Sequence, residues 1–333
     1  MEGKRLLERK SVSGEKKAAE EKRSAEGKRA IEGNRAADGE ISLHGKRVKR
    51  TLTPRTLLTA LLALVLAVSL VNLALKLRDY RQGDEDYGEA EVVAGVPDLE
   101  NLPQPTPRAL PTPTPEQPDP EDSTPPGPES TPEPTPAPTP DPYAQALRNM
   151  DFVALQQVNE EVVGWILVPG TRISYPILQG QDNSYYLNHT WKGSRSSVGS
   201  IFMEWQCSRD FGDFNTIIYG HRVRNQSMFG LLHSYADQDF ADLHPSFYIT
   251  DAAGTRRYDI FAAYETPVDG LVYRLGVTDD GDKEKIINSA LENSAIVTPI
   301  RPTSANQIVT LSTCTGNGHE NRWVVLGVLA AIE

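Results

Sequence analysis

The run from Thr56 to Leu75, TLLTALLALVLAVSLVNLAL, constrains this chain most. It has about twenty residues and no charge, which is enough to cross a bilayer's hydrocarbon core as a helix. Arg55 closes one end; Lys76 and Arg78 close the other. A cleaved signal peptide is the competing reading, but it would start nearer the terminus, have a shorter apolar core and end in a small-residue cleavage site. Here the run follows about fifty polar residues, so an uncleaved single-pass membrane anchor is expected over 56–75. The Lys/Arg excess precedes it, which predicts a cytoplasmic N-terminus and an extracellular remainder.

The flanks differ in kind. Residues 1–55 are basic and loosely repetitive, with EGKR at Glu2 and Glu26, EGNR at Glu32 and HGKR at His44. Lacking aromatics and poor in large aliphatics, they cannot bury enough apolar surface to offset ordering entropy; a disordered, low-complexity tail is expected. Acidic residues interleaved through it weigh against nucleic-acid binding. Beyond the span the chain turns acidic, and the whole carries a net charge of −11. Residues 76–142 read as an extracellular linker, first acidic and then rich in Pro and Thr. From Pro103 onward, dense proline forbids helix and sheet interiors and favours extended polyproline II. At about three ångströms per residue it reaches on the order of 100 Å, a semi-rigid stalk.

From Tyr143 the composition becomes globular, and residues 143–333 suffice for one well-buried domain. YAQALRNMDFVALQQVN reads as helix, with Asp151 capping its second part; SMFGLLHSYA and DKEKIINSALENSA read as helices too. The runs GWILV, ISYPIL, GSIFME, NTIIYG, SFYIT, RYDIFAAYE, QIVTLSTC and RWVVLGVLAAI read as strands. Many short strands broken by turns predict a mainly-β fold, a closed or nearly closed barrel with peripheral helices.

Three strand ends carry reactive side chains. QIVTLSTC ends at Cys314, the loop TGNGHEN follows, and the next strand begins at Arg322. Antiparallel pairing would set Cys314 and Arg322 face to face across the hairpin mouth. NTIIYG is followed by His221. A thiolate is a strong nucleophile toward a carbonyl carbon, and an imidazole can protonate a leaving amine and deprotonate an incoming one. An arginine, always charged, can donate to the oxyanion of a tetrahedral intermediate. By residue type alone, Cys314 could also be a small buried hydrophobe, and a bridge to Cys207, the other cysteine, is a lesser alternative; an extracellular thiol is otherwise a liability unless used. His319 is a rival base. His189, His233 and His244 read as structural, Arg222 and Arg224 as surface or groove-edge residues, and Tyr185 and Tyr186 as core aromatics. No cluster has metal-ligand spacing, no Gly-rich phosphate loop follows a strand, and no cofactor is implied.

TLSTC ending at Cys314, YGH ending at His221 and the arginine eight residues after the cysteine resemble the signatures of the sortases. VVGWILVPGTRISYPILQGQDNSYYLNH followed by GSIFME and NTIIYGHRVRNQSMFGLL resembles class B. The resemblance covers about residues 145–333, and an N-terminal membrane anchor suits the same family. It implies an eight-stranded β-barrel and a cysteine transpeptidase of Gram-positive bacteria. Such an enzyme cleaves a C-terminal sorting motif of secreted proteins after Thr. It then passes the thioacyl group to a peptidoglycan-precursor amine or a pilin lysine. By the same resemblance Cys314 is nucleophile, His221 general acid/base and Arg322 substrate and oxyanion donor. Asn183, Leu187 and Ser312 match positions lining the sorting-motif groove, and Thr313 helps shape the oxyanion site. Thr315 stands where some class B enzymes carry an acidic residue, which leaves fine substrate preference open. The alternatives are a tethered cysteine protease that only hydrolyses and a non-enzymatic binding module on a stalk. His preceding Cys argues against a papain-like order.

Overall fold

The computed structural model describes residues 54–99, 101–103, 141–314 and 320–333. The N-terminal tail with His44, most of the Pro-rich segment, and the loop carrying Thr315 and His319 lie outside the described residues. Two units are distinguished, residues 1–64 and 65–333; in the first only residues 54–64 are described, and they are helical.

The second unit is built on eight strands. They are β1 Val162–Leu167, β2 Ser174–Leu178, β3 Ile201–Met203, β4 Asn215–Tyr219, β5 Ser246–Asp251, β6 Gly254–Pro267, β7 Ile308–Cys314 and β8 Asn321–Ile332. They close into a barrel in the order β1-β2-β3-β4-β7-β8-β6-β5, as the strand-rich sequence predicts. Neighbours are antiparallel except β2–β3 and β4–β7. β7 is buried along its whole length until Cys314, because both its faces are covered. One face meets the barrel interior. The other begins at Ile308, which clusters with Ile286 and Ala290 of the helix Asp280–Asn293 and with Val324 and Leu326, and continues with Thr310 and Ser312, which meet Asn215 and Tyr273. A strand covered on both faces reads as a continuous apolar run, and IVTL does.

Four further α-helices lie among the described residues. α1 is Pro54–Ala94. α2 Pro142–Leu147 and α3 Phe152–Val158 are the two halves of the segment read as helical. Asp141 caps the first, and Asp151 caps the second by accepting from Ala154 N at 2.8 Å, as expected of a short side-chain oxygen at an N-cap. α4 is Gln238–Leu243 and α5 the helix Asp280–Asn293. SMFGLLHSYA forms a tight helix over Gly230–Ala236.

The linker assigned to residues 76–142 needs correction at its start. α1 does not stop where the apolar run stops; it continues to Ala94, and Gly83, Tyr87, Ala90 and Ala94 are buried. These four recur at a spacing of three or four, the stripe of one helix face. The stripe is easy to miss because only one of its members is large. The helix ends in a Schellman motif: Gly95 has φ +62°, Gly95 N donates to Val92 O and Val96 N donates to Glu91 O. Asp151 N then donates to Ala94 O at 2.9 Å. Val96, Leu99 and Leu102 also pack against the barrel core. The Pro-rich segment therefore leaves and rejoins the same unit, and the helix rather than that segment connects the apolar run to the barrel. α1 is long and apolar enough to cross a membrane, which is compatible with a single-pass anchor.

Candidate active site

Parallel pairing of β4 and β7 sets Tyr219 against Ser312, and Gly220 N extends the ladder by donating to Ser312 O at 3.1 Å. His221 and Cys314 each lie two residues beyond that pair, on strands running in the same direction. β8 is antiparallel to β7 and pairs Arg322 with Cys314 in register, as the hairpin spacing predicts. Position 220 must be glycine: a Cβ there would stand 2.7 Å from the Phe229 ring and 2.5 Å from Ile201 Cδ1.

The thiol and the imidazole line one groove, and each shifts the other's protonation. The interaction with His221 holds the Cys314 thiol below its ordinary pKa; burial opposes this, and the Arg322 charge assists it. The same interaction raises His221, with burial again opposing and the bond to Leu187 O assisting. Both shifts favour a thiolate–imidazolium pair. His221 Nε2 lies 2.6 Å from Leu187 O. A carbonyl only accepts, so Nε2 is the protonated nitrogen and Nδ1 is left for the thiol.

Cys207 is a different kind of cysteine. Both thiols are free, so the bridged alternative is not what this structure contains. Cys207 is buried, its Sγ is 3.9 Å from Asn215 O, and burial pushes its pKa up to about 12.

A groove of about 400 Å³ runs past Cys314, lined by His221, Arg322, Asn183, Leu187, Ser312 and Thr313. All seven residues singled out from the sequence thus meet at one place. Asn183 is held at both ends: its Nδ2 donates to Glu204 Oε2 at 2.6 Å and its Oδ1 accepts from Trp205 N at 3.1 Å. Ser312 Oγ lies 2.7 Å from the Tyr273 hydroxyl. Thr313 Oγ1 is buried without a hydrogen-bond partner among the described residues.

Sequence reasoning missed Phe202, Glu204, Tyr219, Val268 and Tyr273, which line the same groove. Glu204 is a buried carboxylate that also accepts from Tyr219 Oη at 3.0 Å. Burial, then Glu204's charge, raises the Tyr219 pKa and keeps that hydroxyl a donor. The signal was present in the E closing GSIFME, an acidic residue at the end of an apolar strand. The other histidines stand elsewhere. His189 stacks on Tyr185, His244 Nδ1 is 2.8 Å from Pro169 O, and His233 packs edge-on against Trp323. Arg222 and Arg224 are exposed. Tyr186 is a core aromatic as expected, whereas Tyr185 is exposed.

A sequence model of the sortase domain matches residues 166–330. Sortase B of Listeria monocytogenes is 37% identical over 177 residues, which cover 53% of this chain and 72% of that one. The chain belongs to the class B sortases. The solved structures agree. A Staphylococcus aureus sortase B–substrate complex superposes with a TM-score of 0.52 and 31% identity, covering 55% of this sortase and 85% of the other chain. A sortase B complexed with Gly3 gives the same score and identity over 55% and 86%. Sortases are cysteine transpeptidases, and the chemistry of the groove has to be read in that light.

Proposed function

We propose that this sortase is a single-pass membrane protein with an extracellular barrel and a cytoplasmic N-terminus. It cleaves a C-terminal sorting motif of secreted proteins after Thr and transfers the acyl part to a cell-wall precursor amine or a pilin lysine of a Gram-positive cell. The observation that carries this reading is that Cys314, in register with Arg322 across the β7–β8 hairpin, shares one groove with His221 from the end of β4. The relatives solved with a substrate and with Gly3 support a peptide donor and an amine acceptor.

In the first half-reaction the Cys314 thiolate adds to the Thr carbonyl carbon. The Arg322 guanidinium donates to the oxyanion that forms. The tetrahedral species collapses by breaking the C–N bond, and the departing amine takes the proton from imidazolium His221, leaving a thioester and neutral His221. In the second half the acceptor amine adds to the thioester carbonyl and gives its proton to His221, and the Cys314 thiolate leaves. The imidazolium and thiolate are regenerated, so no proton is gained or lost over the cycle.

The deciding experiment incubates the full chain in detergent with a library of sorting-motif pentapeptides, with and without a glycine- or diaminopimelate-containing amine. Mass spectrometry follows both enzyme and products. A thioacyl adduct on Cys314 that passes to the amine is the expected result. An adduct that yields only free acid with every amine would instead make the protein a tethered cysteine protease. No adduct with any peptide would favour a binding module.

Asn183 and Ser312 are proposed to hold the peptide, and Glu204 to hold Asn183. Glu204→Ala removes the acceptor that fixes the Asn183 amide and the Tyr219 hydroxyl. The expected result is a KM for the peptide about tenfold higher with Cys314 alkylated at its normal rate, about 1.4 kcal/mol of lost binding. An unchanged KM would separate Asn183 from peptide recognition.

A further inference from the structure

The carbonyl that orients His221 belongs to a segment clamped by α1, and we infer that Tyr87 of α1 is a positioning residue for His221. The inference rests on the reading of His221 as the acid/base partner of Cys314. Tyr87 is buried, at 6% exposure, and its hydroxyl donates to Gly199 O at 2.6 Å and lies 3.0 Å from Ser200 Oγ. Ser200 in turn ties the 199–200 turn to the segment that serves His221. Its N donates to Tyr186 O at 2.9 Å, and its Oγ donates to His189 O at 2.7 Å. Gly199 has φ +60° and fills the space between them. A Cβ there would stand 2.7 Å from both Tyr186 O and Leu187 O and 2.9 Å from His221 Cδ2. The contacts are therefore continuous: Tyr87, the 199–200 turn, Leu187 O, His221.

A carbonyl that takes the Nε2 proton of His221 does the work an orienting carboxylate does in other nucleophile–base pairs: it selects the tautomer and aims the second nitrogen. Its strength depends on how firmly its own segment is held. α1 holds the neighbouring residues at other points too: Thr190 Oγ1 donates to Asp86, Trp191 Nε1 donates to Asp86 O, and Lys192 pairs with Glu89. Of these contacts, the Tyr87 hydroxyl is the one that reaches the turn abutting His221. Burial raises the Tyr87 pKa, so the hydroxyl remains a donor across the working range of pH.

The test uses the full chain in detergent and the pH dependence of Cys314 alkylation by iodoacetamide, read at the Cys314 peptide by mass spectrometry. It needs no substrate, and Cys207 is recognised by its separate peptide. In Tyr87→Phe the Leu187 bond loosens, His221 loses part of what raises it, and the thiolate forms at higher pH. The expected result is an alkylation rate near neutral pH at least about threefold lower, with the profile displaced upward. Lys192→Met cuts helix–barrel contacts without touching the 199–200 turn and is expected to leave the profile in place. An undisplaced Tyr87→Phe profile, or an equal displacement in Lys192→Met, would overturn the inference. His221→Ala separates the two readings: if it leaves the profile unmoved, the thiol is not coupled to His221, and the underlying reading fails with this one. If Tyr87→Phe does not fold, Ser200→Ala decides in the same assay, with an upward displacement expected and an unmoved profile overturning the inference.

Discussion

Cys314→Ala is expected to abolish both the thioacyl adduct and turnover, a loss on the order of ten-thousandfold or more. The side chain sits at the very end of β7, half-buried and facing the groove, while the rest of the strand is buried. Its removal therefore takes away the nucleophile and leaves the barrel's packing untouched, so thermal stability should change little. The remaining thiol cannot substitute. Cys207 is buried and its pKa is pushed up to about 12, so it is almost entirely protonated at neutral pH. Cys314→Ser would be nearly as inactive, because a hydroxyl has no comparable means of ionising beside His221. Turnover within tenfold of the unaltered enzyme in either variant would remove Cys314 from the chemistry. A loss of turnover accompanied by unfolding would be distinguished by circular dichroism on the same sample.

What the sequence revealed and what it hid follow from how each contact is made. The strands were legible because β-branched, apolar runs such as IVTL in β7 and WVVL in β8 can be buried on both faces only within a covered sheet. Cys314 facing Arg322 was legible because a hairpin makes neighbours of residues a short loop apart. The place of His221 beside them was not fixed by spacing. It depends on a parallel pairing of β4 with β7, between segments far apart in the chain, which no local pattern encodes. There the motif resemblance supplied what periodicity could not. The Leu187 carbonyl on His221 was invisible for another reason: a backbone acceptor has no letter of its own. Glu204 and Tyr219 were visible as letters but read as strand residues, because their tie to Asn183 and to each other crosses from one strand to a loop and another strand. The docked half of α1 was lost among its charges. Its buried stripe of Gly83, Tyr87, Ala90 and Ala94 is three small residues and one aromatic, too weak for an apolar periodicity to stand out.

Arg322→Lys separates charge from geometry at the third position. Arg322, the second residue of β8, stands directly opposite Cys314, with its Nη1 donating to Asn321 O at 3.1 Å. Its charge helps lower the Cys314 thiol and opposes the rise of His221. A lysine keeps that charge, so the pH profile of Cys314 alkylation should move little. What it loses is the planar fork: an ammonium on a flexible stem cannot keep one donor on Asn321 O while aiming another at an oxyanion above Cys314. If Arg322 stabilises the tetrahedral intermediate, kcat/KM should fall about a hundredfold, roughly 2.7 kcal/mol, the scale seen when one oxyanion donor is removed. Arg322→Ala should lose both effects, with turnover falling further and alkylation displaced to higher pH. Near-normal turnover in Arg322→Lys would leave Arg322 only its electrostatic influence on the thiol. The oxyanion would then need a different donor, and the buried Thr313 hydroxyl next to Cys314, unpartnered among the described residues, would be the first to examine.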